Sequence, residues 1–201
     1  MVDGVDGFDG FDTLPVPEVV WYPDWLPGAL ADRLLDAVVA EVAWRQDSIG
    51  TPRGRVPLPR LSAWQGEPGA RYRYSGILNV PAPWSTAVGE LKQRVEATSG
   101  ARFNSVLLNR YRSGADALGW HSDDEPELGA APVIASVSLG VARRFELKHV
   151  ATGTLRTYRL THGSLLVMRG ATQRDWRHRV PRAPDVAGER INLTFRQVDP
   201  R

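Results

Sequence analysis

The residues with the most chemical potential lie in Trp120-His121-Ser122-Asp123-Asp124 and, far downstream, at His178. On an extended segment, side chains two residues apart point to the same face, so His121 and Asp123 can present an imidazole and a carboxylate to one metal ion. His178 as a third donor would complete a two-histidine, one-carboxylate facial triad. That set leaves coordination positions open and suits non-haem Fe(II). A lone His-x-Asp is a weak signal, and a histidine in a β domain is commonly a hydrogen-bonded structural residue, the role expected here for His149 and His162.

The segment Arg190-Ile191-Asn192-Leu193-Thr194-Phe195-Arg196 adds a second element. Read as a strand, it places Arg190, Asn192, Thr194 and Arg196 on one face and turns Ile191, Leu193 and Phe195 toward a core. Two buried arginines are costly without an anion, and their planar forks suit carboxylates. A small dicarboxylate would satisfy both; beside an Fe(II) triad the natural candidate is 2-oxoglutarate. Asn109 and Tyr111 alternate on the strand preceding the His-x-Asp segment, within reach of the same ligand. The alternative is that Arg190 and Arg196 pair with acids on an outer face.

These side chains must be held by a chain of 201 residues and 22.2 kDa, enough for one domain with a real core. Hydrophobic residues make up 42% and charged residues 24%, ordinary for a globular protein. No run approaches the roughly 18 apolar residues of a membrane span. The amino terminus lacks the basic and apolar regions of a signal peptide, so a cytoplasmic location is expected. The absence of cysteine excludes disulfides and thiolate metal sites.

The net charge of +2 hides an asymmetry. Residues 1–41 carry nine acids against one base, whereas residues 141–182 carry ten Lys/Arg against two acids. The second half therefore reads as a basic surface, either simply solvated or suited to a polyanion such as nucleic acid. Five arginines between Arg53 and Arg73 are interleaved with Trp64, Tyr72 and Tyr74. That combination fits backbone neutralisation plus base stacking on single strands; equally, the aromatics could be core residues of a hairpin.

Asp-Gly repeats predict a loose acidic tail over 1–18. A short strand at Val19–Tyr22 precedes an amphipathic helix beginning near Pro27 and running to about Trp44, with Leu30, Leu34, Leu35, Val38, Val39 and Val42 at helical spacing. Residues 53–73 read as irregular. A second helix starts at Ser85 as N-cap and stops before Gly100. From Phe103 onward, short strands are expected at 103–111, 133–139, 144–150, 155–160, 164–168 and 190–198, with a hairpin turn at Thr152-Gly153. The fold class is mainly β with flanking helices, an antiparallel sandwich or jelly roll.

Ordered blocks from about Pro59 to the carboxyl end carry a family resemblance: Pro59 to Trp64, Asn109 to Tyr111, Trp120 to Pro126, Ile134 to Ser138, His162 to Leu166, Gly170 to Pro181 and Arg190 to Arg196. Together they resemble the AlkB family of Fe(II)/2-oxoglutarate dioxygenases. The resemblance implies a double-stranded β-helix over 103–201 with an N-terminal nucleotide-recognition lid within 19–102. It implies His121, Asp123 and His178 as iron ligands, and Asn109, Tyr111, Arg190, Asn192, Thr194 and Arg196 around 2-oxoglutarate. Substrate contacts would come from Trp64, Tyr72, Arg73, Tyr74 and Asp124. The implied reaction uses O2 to demethylate alkylated bases such as 1-methyladenine and 3-methylcytosine in DNA or RNA, releasing formaldehyde, succinate and CO2.

Relatives that act well on duplex DNA use an apolar wedge, and Thr51 to Pro57 offers no aromatic there, with only Val56 or Leu58 as small substitutes. A preference for single strands follows, by a monomer without an obligate protein partner. Two other readings stand beside this one. One is a 2-oxoglutarate-dependent hydroxylase of a protein or small molecule; the other is a catalytically silent nucleic-acid-binding module.

Overall fold

The structure, a computed structural model, describes residues 14–199 apart from 53, 71, 75 and 76; for 72–74 and 77–79 it gives the backbone path. Most of the expected acidic tail lies outside the described residues. The strands in chain order are β1 (Val19–Tyr22), β2 (Ser48–Thr51), β3 (Gly54–Pro57), β4 (Leu61–Gly66), β5 (Tyr72–Tyr74), β6 (Ile77–Asn79) and β7 (Ser105–Tyr111). They continue as β8 (Leu118–His121), β9 (Ile134–Gly140), β10 (Arg143–His149), β11 (Leu155–Leu160), β12 (Ser164–Met168), β13 (Trp176–Val180) and β14 (Arg190–Arg196). The helices are α1 (Gly28–Glu41), α2 (Thr86–Ser99) and the single turn α3 (Thr172–Asp175).

Two antiparallel sheets face each other as a jelly roll. The larger has the order β1-β12-β9-β14-β7-β4 and the smaller β11-β10-β13-β8. Alternation assigns each face. In β14, Ile191, Leu193 and Phe195 are fully buried under the helices, against Leu34 and Val38 of α1 and Val88, Leu91 and Val95 of α2. Each such side chain contributes about 1.5–3 kcal/mol when removed from water. The opposite face of β14 looks into the roll, where Trp64, Ile134, Leu147, Leu166 and Trp176 form a second core.

Several expectations are corrected. Residues 53–73 are not irregular throughout: they hold β3 and β4, and β4 forms the outer strand of the larger sheet, paired with β7. Ser85 occupies the N-cap of α2 but makes no side-chain cap bond. Instead, the Ala87 N–H donates to Glu41 Oε2 at 2.9 Å, so the end of α1 caps the start of α2 with a carboxylate at its positive pole. Gly100 closes α2 at φ 69°, a left-handed position that favours glycine. β8 and β13 lie outside the expected strands, yet they carry two of the three candidate metal ligands.

Candidate metal and dicarboxylate site

β8 and β13 run antiparallel with His121 directly opposite His178, their ring centroids 4.2 Å apart. β8 ends at His121, and the chain then carries Asp123 inward, to 1% exposure, while Asp124 turns out to solvent. Donor atoms of His121, Asp123 and His178 lie within 4.8 Å of one another, close enough to share one ion. The Asp123 N–H donates to Gln173 Oε1 at 2.9 Å, so the turn α3 fixes the loop that presents the carboxylate. His121 Nδ1 lies 2.9 Å from Gly119 O. With the proton on Nδ1, Nε2 carries the lone pair that can ligate a metal.

Electrostatics keep the donors ready. Burial, then the neighbouring His121, pushes His178 down to about 3, against the pull of Asp123. Burial likewise lowers His121, so both imidazoles are neutral near pH 7 and bind metal without first losing a proton. Burial alone would push the Asp123 carboxyl up, but Arg196 and the two imidazoles outweigh it and hold it down to about 2. Arg196 Nη2 donates to Asp123 Oδ1 at 2.8 Å.

A cavity lies between the two sheets. It is lined by all three metal-ligand candidates and by Asn109, Tyr111, Arg190, Asn192, Thr194 and Arg196. Asn192 is spent within the protein: its amide donates to Ser136 Oγ and Val137 O, and its oxygen accepts from Thr194 Oγ1. Arg190 is different. It is 1% exposed and donates from Nη2 to Ser138 Oγ at 2.8 Å, and its guanidinium interacts with Tyr111, while Nε, Nη1 and the Tyr111 hydroxyl lack a hydrogen-bond partner of good geometry among the described residues. Burial lowers Arg190 to about 10, so it stays a cation. Orphaned buried donors on a guanidinium carry a large desolvation cost unless an anion fills the space. This donor set fits the carboxylate of 2-oxoglutarate, as the histidine–aspartate cluster fits Fe(II).

One charged lining residue was missed by sequence reasoning. Arg60, 5% exposed, reaches the cavity and donates from Nε to Asn109 Oδ1 at 2.8 Å. In sequence it looked like one of five surface arginines, and no local pattern sets it apart.

The substrate contacts expected from sequence fare differently. Trp64 is 2% exposed and packs in the inner core, its indole N–H donating to Ala70 O at 3.0 Å. It supports the wall of the roll and presents no open face to a base. Asp124 is exposed and does not line the cavity. Tyr72, Arg73 and Tyr74 form β5, hairpin-paired with β6, and their side chains lie outside the described residues. β2 and β3 form a second hairpin whose Val56 is 47% exposed.

Comparison with known proteins agrees with this geometry. The 2OG-Fe(II) oxygenase superfamily matches residues 18–196. The alpha-ketoglutarate-dependent dioxygenase alkB homolog 3 of Homo sapiens is 42% identical over 198 residues, covering 92% of this chain and 68% of the relative. The Rattus norvegicus protein of the same name is also 42% identical, with 66% of its length covered. The DNA oxidative demethylase ALKBH2 of Mus musculus is 40% identical over 151 residues, 71% of this chain and 63% of that one. The chain thus spans about two thirds of the length of these curated relatives. The solved structure of OsALKBH1 shares the fold at a TM-score of 0.65 and 20% identity, covering 92% of this chain and 99% of that chain. The chain belongs to the AlkB family of 2OG-Fe(II) oxygenases, with iron, 2-oxoglutarate and O2 as the family's cofactor and co-substrates.

Proposed function

We propose that this chain oxidatively demethylates N-alkylated bases, 1-methyladenine and 3-methylcytosine, in single-stranded DNA or RNA. The observation that carries the reading is the adjacency of the His121–Asp123–His178 cluster to a buried Arg190 whose Nε and Nη1 await an anion. When bound with 2-oxoglutarate and O2, iron(II) supplies the oxidation: one oxygen atom enters a methyl C–H bond, and the other leaves in succinate as CO2 is lost. The N-hydroxymethyl group so formed releases formaldehyde and returns the base N–H.

The chain's own residues supply position and environment. Arg190 and Tyr111 bind the far carboxylate of the dicarboxylate. Arg196 holds the Asp123 carboxylate in one orientation. The apolar walls, Leu118, Phe145, Leu160 and Val180, exclude water. Asp124 lies next to the ligand Asp123 and is exposed, where its charge favours the cationic methylated bases over neutral ones.

A nucleic-acid substrate is supported by the name of the mouse relative, a DNA oxidative demethylase. It is supported also by the outer face of the smaller sheet, where Arg144, Lys148 and Arg177 are exposed. The single-strand preference rests on the β2–β3 hairpin, whose Val56 is its exposed large apolar side chain. Extracting a base costs a few kcal/mol from a duplex and least from a single strand. One chain supplies the whole donor set, which fits a monomer.

The test is succinate and formaldehyde release with Fe(II), ascorbate and 2-oxoglutarate, on matched single- and double-stranded DNA and RNA carrying one 1-methyladenine or 3-methylcytosine. Formaldehyde equal to the methyl groups lost, faster on single strands, is the expected result. Succinate without formaldehyde on any oligomer would send the activity to a protein or small-molecule substrate.

A further inference from the structure

Beside the dicarboxylate end of the cavity lies a second buried guanidinium. Arg143, the first residue of β10, is 1% exposed. Its Nη1 donates to Ser113 O at 3.1 Å, and its Nη2 donates to Asp116 O and to Pro181 O, each at 2.8 Å. Ser113 and Asp116 lie in the turn between Tyr111 and β8, which carries His121; Pro181 directly follows β13, which carries His178. One side chain therefore ties together the backbone segments leaving Tyr111, entering β8 and leaving β13.

That corner is tightly built. The Gly114 N–H donates to Val186 O at 2.9 Å and the Ala183 N–H to Gly114 O at 2.8 Å. A Cβ at Gly114 would fall 1.7 Å from Ala183 O, so the two loops interlock with no room for a side chain.

The guanidinium carbon of Arg143 lies 5.6 Å from the Tyr111 ring centroid, and that of Arg190 lies 5.3 Å from the same centroid. Among the described residues no carboxylate lies within ion-pairing distance of either arginine. The Asp116 carboxylate acts on Arg143 only through space, because it is engaged by Arg112 through Nε at 2.8 Å and Nη2 at 2.9 Å. Arg143 Nε, like Nε and Nη1 of Arg190, has no hydrogen-bond partner among the described residues. Two buried cations thus share one tyrosine at one end of the cavity.

We propose that Arg143 is a positioning residue for the co-substrate: it fixes Tyr111 against Arg190 and adds a second fixed positive charge that selects a ligand carrying a far carboxylate. Arg143 does not line the cavity; it acts through Tyr111 and through its field, which is weakly screened in a buried site. This inference rests on the reading of the cavity as a 2-oxoglutarate site.

The experiment compares 2-oxoglutarate with 2-oxopentanoate, which has the same five-carbon keto-acid chain without the far carboxylate. Affinities are measured by calorimetry on the full chain loaded with Mn(II), so that no turnover occurs. Wild type should prefer 2-oxoglutarate strongly. Arg143→Met should lower that preference about tenfold, through weaker 2-oxoglutarate binding and unchanged 2-oxopentanoate binding. Arg143→Lys, which keeps the charge, should retain most of the preference. Should Arg143→Met not fold, Arg143→Gln, neutral but still able to donate to two carbonyls, takes its place with the same expectation. A wild-type preference in the neutral variant, or an equal loss for both ligands, overturns the inference and leaves the co-substrate reading standing. Wild type that does not distinguish the two ligands overturns both.

Discussion

The two ends of β14 solve the same problem in opposite ways. At one end, Arg196 is 2% exposed and is answered within the protein by the Asp123 carboxylate at 2.8 Å. At the other, Arg190 is equally buried but meets a serine hydroxyl and a tyrosine ring, with no carboxylate among the described residues to pair with it. The first arrangement orients a metal ligand through an ion pair that is in place before anything binds. The second is incomplete and gains most when an anion arrives. Burial of a charge is thus structural where its partner is built in, and a binding device where it is not.

Breaking the metal end should have the largest effect. Asp123→Ala removes a ligand and strands Arg196, and the expected outcome is loss of detectable demethylation together with loss of Mn(II) binding in calorimetry. Breaking the far end should be graded: Arg190→Met is expected to raise the KM for 2-oxoglutarate about 100-fold, the loss of a charge-assisted pair of bonds, while the KM for the oligomer stays put. Asp124→Asn, outside the cavity, should reduce kcat/KM on 3-methylcytosine several-fold at most, roughly the strength of an exposed charge, with the 2-oxoglutarate KM unchanged.

Two further changes sharpen the contrast by touching structure alone. Trp64→Phe leaves Ala70 O without its donor and should lower unfolding stability by about 1–2 kcal/mol in denaturant titration, with both KM values as in wild type. A raised oligomer KM there would return Trp64 to the substrate surface. Asp116 supports the corner behind the far end. Hydrogen bonds from the Arg112 side chain hold its carboxyl below the usual range, against burial. The charged form is therefore the one that stabilises the fold, present at neutral pH and lost as pH falls through the lowered value. Wild type should melt above Asp116→Asn at pH 7, and the gap should close on acidification.

The sequence disclosed the two ends of the site unequally. The alternation of Arg190 to Arg196 is legible because a strand buried on both faces must still segregate polar from apolar side chains. The His-x-Asp pair is legible because few other arrangements place an imidazole and a carboxylate together. β8 and β13 are not legible as strands: they are four and five residues long, and β13 alternates Trp176, His178 and Val180 inward with two arginines outward. Arg60 and Arg143 were read as surface charge because burial of an arginine depends on carbonyls and rings brought from distant segments. For Arg143 those come from Ser113, Asp116 and Pro181, none of them near it in sequence. The basic count over residues 141–182 therefore overstates the charged surface by at least this one wholly buried cation.

The most direct measurement is a sequential calorimetric titration of the protein, first with Mn(II) and then with 2-oxoglutarate, on wild type, Asp123→Ala and Arg190→Met. The account predicts one metal and one 2-oxoglutarate per wild-type chain, no metal in Asp123→Ala, and in Arg190→Met a normal metal with 2-oxoglutarate weakened about 100-fold. Undiminished 2-oxoglutarate binding in Arg190→Met would contradict it, because the far end of the cavity would then not be where the dicarboxylate is held.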